Sequence, residues 1–468
     1  MFSLLHDPAL YTDYYELTMA QGYYLSGRKD DQAGFDYFFR ENPFNGGYVV
    51  FAGISDFLAI IDHFSFSSQD LEYLESEGFH SDFLSYLEEL DFSPTITSMR
   101  EGEIVFPREP IVRVEGNLIE TQLLETLLLN TLNFESLIAT KASRIRQSAG
   151  ERLVADFGLR RAQGLGGIQA SKASIIGGLD STSNVYAAKS FDLPATGTMA
   201  HSWIQSFDSE LEAFRKYAEY YPDNCILLVD TYDTLESGVP HAIQVAGELE
   251  AKGHQLKGIR LDSGDLAYFA RKSRQMLDKA GFDQVKIAAS NQLDEYLVKS
   301  LIEQSAPIDL FGIGTNLVTG QNSPALDGVY KLNSVNDDPR LKVSENIEKI
   351  TLPGHKQVVR YFNSDGSFYG DGIVLDNNEG KVIHHPHYPS KQFKTHSRAK
   401  EKLLEPVMRE GKRCGTLSSA RESANYLQKR KKLLPEEHKR FENPHVYKVG
   451  ISTSLQKLRD QLIDEMKT

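Results

Sequence analysis

The sequence predicts an α/β fold: an irregular, incomplete (β/α) barrel with an α+β domain before it and a C-terminal extension after it. Three observations carry this. Short apolar runs recur from residue 153 onward and end at Phe157, Asp180, Ala200, Asp230, Asp262, Ala289 and Gly314. Helical patterns separate most of them, over residues 166–176, 205–220, 240–252, 266–279 and 293–304. Polar and charged residues gather at the ends of the runs. Strands alternating with helices make βα units and a parallel sheet. Seven strand ends in about 160 residues suit a nearly closed barrel, and a full barrel has eight strands, so an incomplete one is expected.

The flanks have another rhythm. Residues 13–24 have the spacing of an amphipathic helix, with Thr12 or Asp13 as its cap. Residues 34–40 alternate like a strand, 43–47 form a loop, and 53–63 look helical. Two short strands surround Pro107 and Pro110, and 119–132 is a strongly apolar helix. The expected domains are therefore an N-terminal α+β domain over 1–130, the barrel over 131–330 and a C-terminal region over 331–468. In the last, 356–362 and 366–375 make a hairpin around Asn363-Ser364-Asp365-Gly366. The polar stretch 391–443 holds a basic run at 429–432 that reads as a solvated helix face, and 455–466 is a closing helix.

Composition excludes several functions. Across 468 residues, Lys and Arg number 51 against 65 Asp and Glu, a net charge of −14. A nucleic-acid partner is not expected, because its binding surface would be basic. An anionic substrate would need a local cluster of cations. The two cysteines, Cys225 and Cys414, stand far apart, which excludes a disulfide framework or a Cys-rich zinc site and suits a reducing cytoplasm. No basic, apolar leader opens the chain, and no apolar run reaches the ~20 residues of a membrane helix, so a cytoplasmic protein without a membrane partner is expected.

The strand ends carry the chemistry. In the stretch KGIRLDSGDL, Arg260 offers a rigid cationic fork, and Asp262 and Asp265 offer hard oxygen ligands just before a helix. A capped surface turn explains the same residues. Phe157 is followed by Arg160 and Arg161, and Thr198 shares a strand end with His201. Asp230 opens DTYDT, and Gly312, Gly314 and Thr315 form a glycine-rich turn. An aromatic ring with arginines suits a flat anionic ring. Paired aspartates suit Mg²⁺ on a diphosphate, or ribose hydroxyls. The glycine turn after the last strand stands where barrels bind phosphate. Spacing leaves His201 open between a buried structural histidine and a nucleophile or proton carrier.

At these residues the chain resembles the nicotinate phosphoribosyltransferases, from TDYYELTMAQGYY to YKVGISTSLQKLRDQLI. The most specific stretches are DFGLRRAQG, GTMAHSW, VDTYDT, IRLDSGDL, FGIGTNL and KVSENIEKITLPGHKQV. The resemblance implies an N-terminal α/β domain plus an irregular barrel. It also implies joining of nicotinate to 5-phosphoribosyl 1-diphosphate, with coupled ATP hydrolysis, in the salvage route of NAD biosynthesis. By motif, Tyr15, Thr198 and Arg260 resemble nicotinate contacts and Phe157 the ring-stacking aromatic. His201 resembles the histidine that ATP phosphorylates, a catalytic role shared with Asp262. Arg160, Asp230, Gly312, Gly314 and Thr315 fall to phosphoribosyl diphosphate, with Asp230 and Asp262 near Mg²⁺. A homodimer sharing Tyr15 between subunits is also implied. The nearest rival is nicotinamide phosphoribosyltransferase, in which an acidic residue occupies the turn corresponding to Ser181-Thr182-Ser183-Asn184. No carboxylate stands at Ser183 here, which favours the acid as substrate. Many relatives carry Gly where Ser181 stands. A non-catalytic regulatory protein on the same barrel is the other reading, and the intact Arg260, His201 and aspartate set counts against it.

Overall fold

The structure, a computed structural model, describes residues 8–345, 349–376, 380–388 and 390–466. Asn346, Ile347 and Glu348 of the KVSENIEKITLPGHKQV motif lie outside the described residues. The chain divides into two compact units, one of residues 141–324 and one combining 1–140 with 325–468. This differs from three successive domains. The first and last thirds of the chain share a sheet: Gln32–Phe39 pairs antiparallel with Gly328–Val335, and Thr95–Ser98 pairs with Glu405–Arg409. Nor does the helix expected over 119–132 stop there. It is divided into Leu118–Gln122 and Glu125–Ala149, and the longer piece runs through the expected boundary at 130.

The 141–324 unit holds six strands, all parallel. Their order is Ser181–Thr182, Leu153–Asp156, Leu310–Ile313, Lys286–Ser290, Gly258–Leu261 and Ile226–Leu228. That order is consistent with a partial barrel opened between Ser181–Thr182 and Ile226–Leu228. The strands form from apolar runs that the sheet buries: Leu227, Ile259, Leu261, Ile287, Ala289, Phe311 and Ile313 are wholly covered. Helices follow where a short polar side chain caps the first turn. Asp265 accepts from the Tyr268 N–H and Asp294 from the N–H groups of Tyr296 and Leu297. Of the two aspartates in LDSGD, Asp265 is thus a cap.

One expected strand is absent. The run ending at Ala200 is irregular, joined to the sheet only by a parallel bridge between Thr182 and Ala195. Thr182 N–H donates to Pro194 O, and Thr196 N–H to Thr182 O, at 3.0 and 2.9 Å. Pro194 lacks an N–H, which blocks a ladder at its start. Instead of one helix over 205–220, the chain makes His201–Gln205 and then Glu210–Tyr220. His201 thus opens a short helix in the irregular stretch of chain between Ser181–Thr182 and Ile226–Leu228.

The other unit holds two larger sheets. Its seven-stranded antiparallel sheet contains Gln32–Phe39, Val112–Asn117 and Gly328–Val335. A six-stranded sheet is built on the expected hairpin, Lys356–Phe362 with Phe368–Leu375, whose turn needs Gly366 at φ 84°. Inside it Arg360 is fully buried and donates to Glu103 at 2.7 Å and Asp371 at 2.6 Å. Arg430 also donates to Glu103, at 2.9 Å, and Tyr447 to Asp371, at 2.9 Å. Burial makes such a network costly to break from one side. A cavity of about 1130 Å³ also lies in this unit, with Arg40, Arg108, Lys331 and Lys391 among its lining residues.

Near the start of this unit, Glu16 is buried between two threonines. Thr12 Oγ donates to it at 2.6 Å, and the Thr126 N–H at 2.8 Å. Burial pushes its carboxyl up to about 7, against the pull of those donors. The folded state therefore holds the proton more tightly than the unfolded chain. The resulting stability is complete below the unfolded value, near ~4.3, and is lost as pH rises through 7. Glu16→Gln should match the wild type near pH 4 and exceed it at pH 8. With each pKa unit worth ~1.4 kcal/mol and a discount for partial screening, the gain is on the order of 2 kcal/mol. Urea unfolding at both pH values measures it; an equal difference at both would refute it.

Candidate active site

Arg260, on the Gly258–Leu261 strand, is largely covered and uses every arm of its guanidinium. Nε donates to Ser290 Oγ at 2.9 Å. Nη1 donates to Thr198 Oγ at 3.1 Å and Met199 O at 3.3 Å, and Nη2 to Asp262 Oδ1 at 2.8 Å. The ring of Phe157 lies with its centre 5.5 Å from the guanidinium carbon. Parallel neighbours explain the convergence: Leu228 pairs with Arg260, and Ala288 with the same residue from the other side. Each chain then leaves the sheet on the same edge.

Asp262 holds two positions together. Its Oδ1 accepts from Arg260 and from Ser290 Oγ, while Oδ2 stands 3.9 Å from His201 Nε2. Burial opposes its ionisation, but the Ser290 hydroxyl, the Arg260 charge and His201 outweigh burial and hold the carboxyl below its usual range. The other face of His201 is engaged, with Nδ1 3.1 Å from Thr231 Oγ. Asp230 Oδ2 accepts from the Asp262 N–H at 2.8 Å and from Ser263 Oγ at 2.6 Å. Asp230 Oδ1 is buried with no hydrogen-bond partner.

Phe157 is placed by Asp156, which is wholly buried. The Asp156 carboxylate accepts from Ser171 Oγ and Thr182 Oγ, both at 2.7 Å, and from the Gly158 N–H at 2.8 Å. Gly312 is needed for packing against the same ring, since a Cβ there would come within 2.5 Å of Phe157. Gly314 precedes the Thr315–Val318 turn of helix, and a Cβ on it would stand 2.9 Å from Phe157 O. Thr315 and Arg160 are exposed.

The structure therefore brings Phe157, Thr198, His201, Asp230, Arg260 and Asp262 into one connected set, with Gly312 and Gly314 beneath Phe157. Tyr15 stands in the other unit, half-exposed on the first turn of Tyr14–Leu25. Three contributors escape the sequence reading. Ser290 ends a strand, and the rule that selected its neighbours would have found it. Thr231 follows Asp230 directly. The turn after Ser290 has no sequence signal: Asn291 and Gln292 take φ of 86° and 52°, held by Asn316 donating to Gln292 O and Leu293 O. Such backbone strain persists only where its surroundings enforce it.

Fold and site together define a class: a parallel-sheet α/β enzyme whose strand ends present one engaged arginine and two carboxylates beside a histidine that opens a short helix. Comparison with known proteins narrows the class. Residues 10–133 match the nicotinate phosphoribosyltransferase N-terminal domain, 153–377 the nicotinate phosphoribosyltransferase family, and 355–459 its C-terminal domain. A nicotinate phosphoribosyltransferase of Bacillus subtilis is 42% identical, over 98% of this chain and 96% of its own. Another, from Caenorhabditis elegans, is 36% identical over 95% and 92%. The crystal structure of human nicotinic acid phosphoribosyltransferase superposes with a TM-score of 0.87 at 32% identity, covering 96% of this chain and 99% of that one. A Pyrococcus furiosus nicotinate-nucleotide pyrophosphorylase, at 24% identity and a TM-score of 0.72 over 91% and 95% of the two chains, shares the fold. The chain belongs to the nicotinate phosphoribosyltransferase family.

Replacing Asp156 tests the support beneath Phe157. Asp156→Ala leaves two buried hydroxyls and one buried N–H without their acceptor, at a cost of about 2–4 kcal/mol. Asp156→Asn, which keeps one acceptor oxygen, should lose less than half of that. Denaturant unfolding of the three proteins measures both, and an alanine variant as stable as wild type would show that the carboxylate holds nothing.

Proposed function

We propose that this protein joins nicotinate to 5-phosphoribosyl 1-diphosphate, forming nicotinate mononucleotide and diphosphate, coupled to ATP hydrolysis in NAD salvage. The observation that carries the reading is the convergence on Arg260, in a chain related to named nicotinate phosphoribosyltransferases along nearly its whole length. A nicotinate carboxylate meets the cationic arginine, and its flat ring lies against Phe157. Thr198, already hydrogen-bonded to Arg260, keeps that arm in place. The pyridine nitrogen attacks C1 of the phosphoribosyl group, and the C1–oxygen bond breaks with its electron pair leaving on diphosphate.

Asp230 and Asp262 suit Mg²⁺, and the buried, unpartnered Asp230 Oδ1 is the oxygen that fits it best. Among the described residues no cluster of three His, Cys, Asp or Glu side chains could hold a metal alone, so Asp230 and Asp262 would hold the ion together with substrate oxygens and water. When bound, the ion would neutralise charge on the diphosphate. Arg160, Gly312, Gly314 and Thr315 face the phosphate groups in this reading.

His201 takes the γ-phosphoryl group of ATP on Nε2, because Nδ1 is engaged by Thr231. The Nε2 lone pair forms the N–P bond, and the bond from γ-phosphorus to the bridging oxygen breaks toward ADP. The protein works in the cytoplasm. Cys225 and Cys414 are unpaired, and among the described residues no helix is long and apolar enough to cross a membrane. Nicotinamide is a poor substrate, since Arg260 has nothing to accept from an amide.

The deciding assay gives purified protein phosphoribosyl diphosphate and Mg²⁺ with nicotinate or nicotinamide, with and without γ-labelled ATP. Product should form at least ten times faster from nicotinate, and acid-labile label should appear on wild type but not on His201→Ala. A preference for nicotinamide would overturn the substrate, and label on the alanine variant would overturn the role of His201.

Tyr15 acts from a second copy of the chain, so the working form is a homodimer. Mixing inactive Tyr15→Ala with inactive Arg260→Ala should restore up to about a quarter of wild-type activity through hybrid dimers. Absence of recovery despite demonstrated subunit exchange would refute the shared site.

A further inference from the structure

We propose that Glu16 is a positioning residue for nicotinate: it fixes the rotation of the Tyr14–Leu25 helix and thereby aims the ring of Tyr15. The inference rests on the reading of Tyr15 given above and adds what holds that side chain in place. Consecutive side chains on a helix point about 100° apart, so a residue that must face inward sets the direction of the one before it. Glu16, Leu17 and Ala20 are buried, while Tyr14, Tyr15 and Met19 are exposed. Leu17 and Ala20 supply apolar contact, which is non-directional and tolerates some rolling of the helix. Hydrogen bonds are directional, and the buried carboxylate of Glu16 accepts them on both of its oxygens.

The two residues before the helix serve the same lock. Asp13 stands at the N-cap position, yet its side chain makes no capping bond to its own helix. It turns instead to Thr126, the second residue of the Glu125–Ala149 helix. The Asp13 N–H donates to Thr126 Oγ at 3.2 Å, and Thr126 Oγ lies 3.1 Å from Asp13 Oδ2. Thr12 is engaged by Glu16 in turn, donating to Oε2 at 2.6 Å. Glu16 Oε1 accepts the Thr126 N–H at 2.8 Å and also receives the Thr126 hydroxyl. That N–H is among the first four of its helix, which have no partner inside it, so Glu16 caps the long helix from outside. The carboxylate is thus gripped by Thr12 at one oxygen and by Thr126 at the other. Neither outward ring could set this rotation, since Tyr14 and Tyr15 are each half-exposed. The polar lock supplies a direction that the rings themselves cannot.

Glutamine keeps both halves of the lock, since its oxygen accepts from Thr126 and its amide donates to Thr12 Oγ; alanine removes both. The test is steady-state kinetics of the full-length protein with each substrate varied in turn. Glu16→Ala should raise the KM for nicotinate at least tenfold and that for phosphoribosyl diphosphate less than twofold. Glu16→Gln should stay within threefold of wild type for both. A fall in kcat with both KM values unchanged would mark a merely structural role and overturn the proposal. The link to Tyr15 is read from nicotinate affinity by isothermal titration. Tyr15→Ala and the double variant Tyr15→Ala/Glu16→Ala should agree within twofold, because a ring already removed cannot be misaimed. A further tenfold loss in the double variant would show that Glu16 acts apart from Tyr15. If Glu16→Ala does not fold, Thr126→Val takes its place: its nicotinate KM should rise at least threefold, with Thr126→Ser within twofold of wild type. A valine variant at the wild-type KM would then overturn the role. A wild type that does not use nicotinate sinks the proposed function and this role with it. One that uses nicotinate, with Glu16→Ala unchanged, sinks the positioning role alone.

Discussion

Arg260 is the constraint on which the site depends. A guanidinium removed from water must be surrounded by acceptors, and no single loop of this chain could supply them. They come from three places: Ser290 at the end of one strand, Asp262 just past the end of another, and Thr198 and Met199 in the irregular segment before His201. Once the arginine is placed, its acceptors are placed too. Asp262 then fixes the approach to His201, and its backbone N–H fixes Asp230. The strand ends form one connected polar set, and a change at one is felt at the others.

The irregular gap is part of this arrangement. A regular strand between Thr182 and Ile226 would alternate its side chains across the sheet and tie up its backbone in ladders. The observed segment instead presents the Met199 carbonyl sideways to Arg260 and starts a helix at His201. Trp203, two residues on, anchors that short helix by donating from its indole N–H to Ala213 O at 3.1 Å and by packing on Phe207 and Tyr217. The histidine is thus carried on an element with firm packing behind it and little regular structure before it.

The discontinuous unit follows a different logic. Its strands from the two ends of the chain complete each other's sheet, and its buried charges are satisfied across a long stretch of sequence, Arg360 reaching Glu103 and Asp371. Neither end could bury these groups without the other. The large cation-lined cavity also belongs to this unit, and none of the strand-end residues of the parallel sheet contributes to it. Size of enclosure is therefore no guide to where the convergent chemistry lies.

Sequence alone determined the rhythm of strands and helices between 153 and 314, because buried parallel strands must be short apolar runs and their helices must begin at caps such as Asp265 and Asp294. It also determined which strand ends carry polar groups: Phe157, Asp230, Arg260 and Asp262 were legible before any coordinate. Local composition could not say that the run before His201 fails to pair, since Ala195 to Ala200 reads as well for a strand as its neighbours do. It could not tell that Gly312 is small to admit the Phe157 ring, that Asp265 only caps a helix while Asp262 reaches Arg260, or that Ser290 joins the two. Nor could it reveal that the N-terminal and C-terminal segments form one unit, because strand partners 300 residues apart leave no periodicity in either segment. Those were decided by tertiary structure. A side chain's type sets what it can bond, but only the sheet order sets which bonding partners arrive beside it.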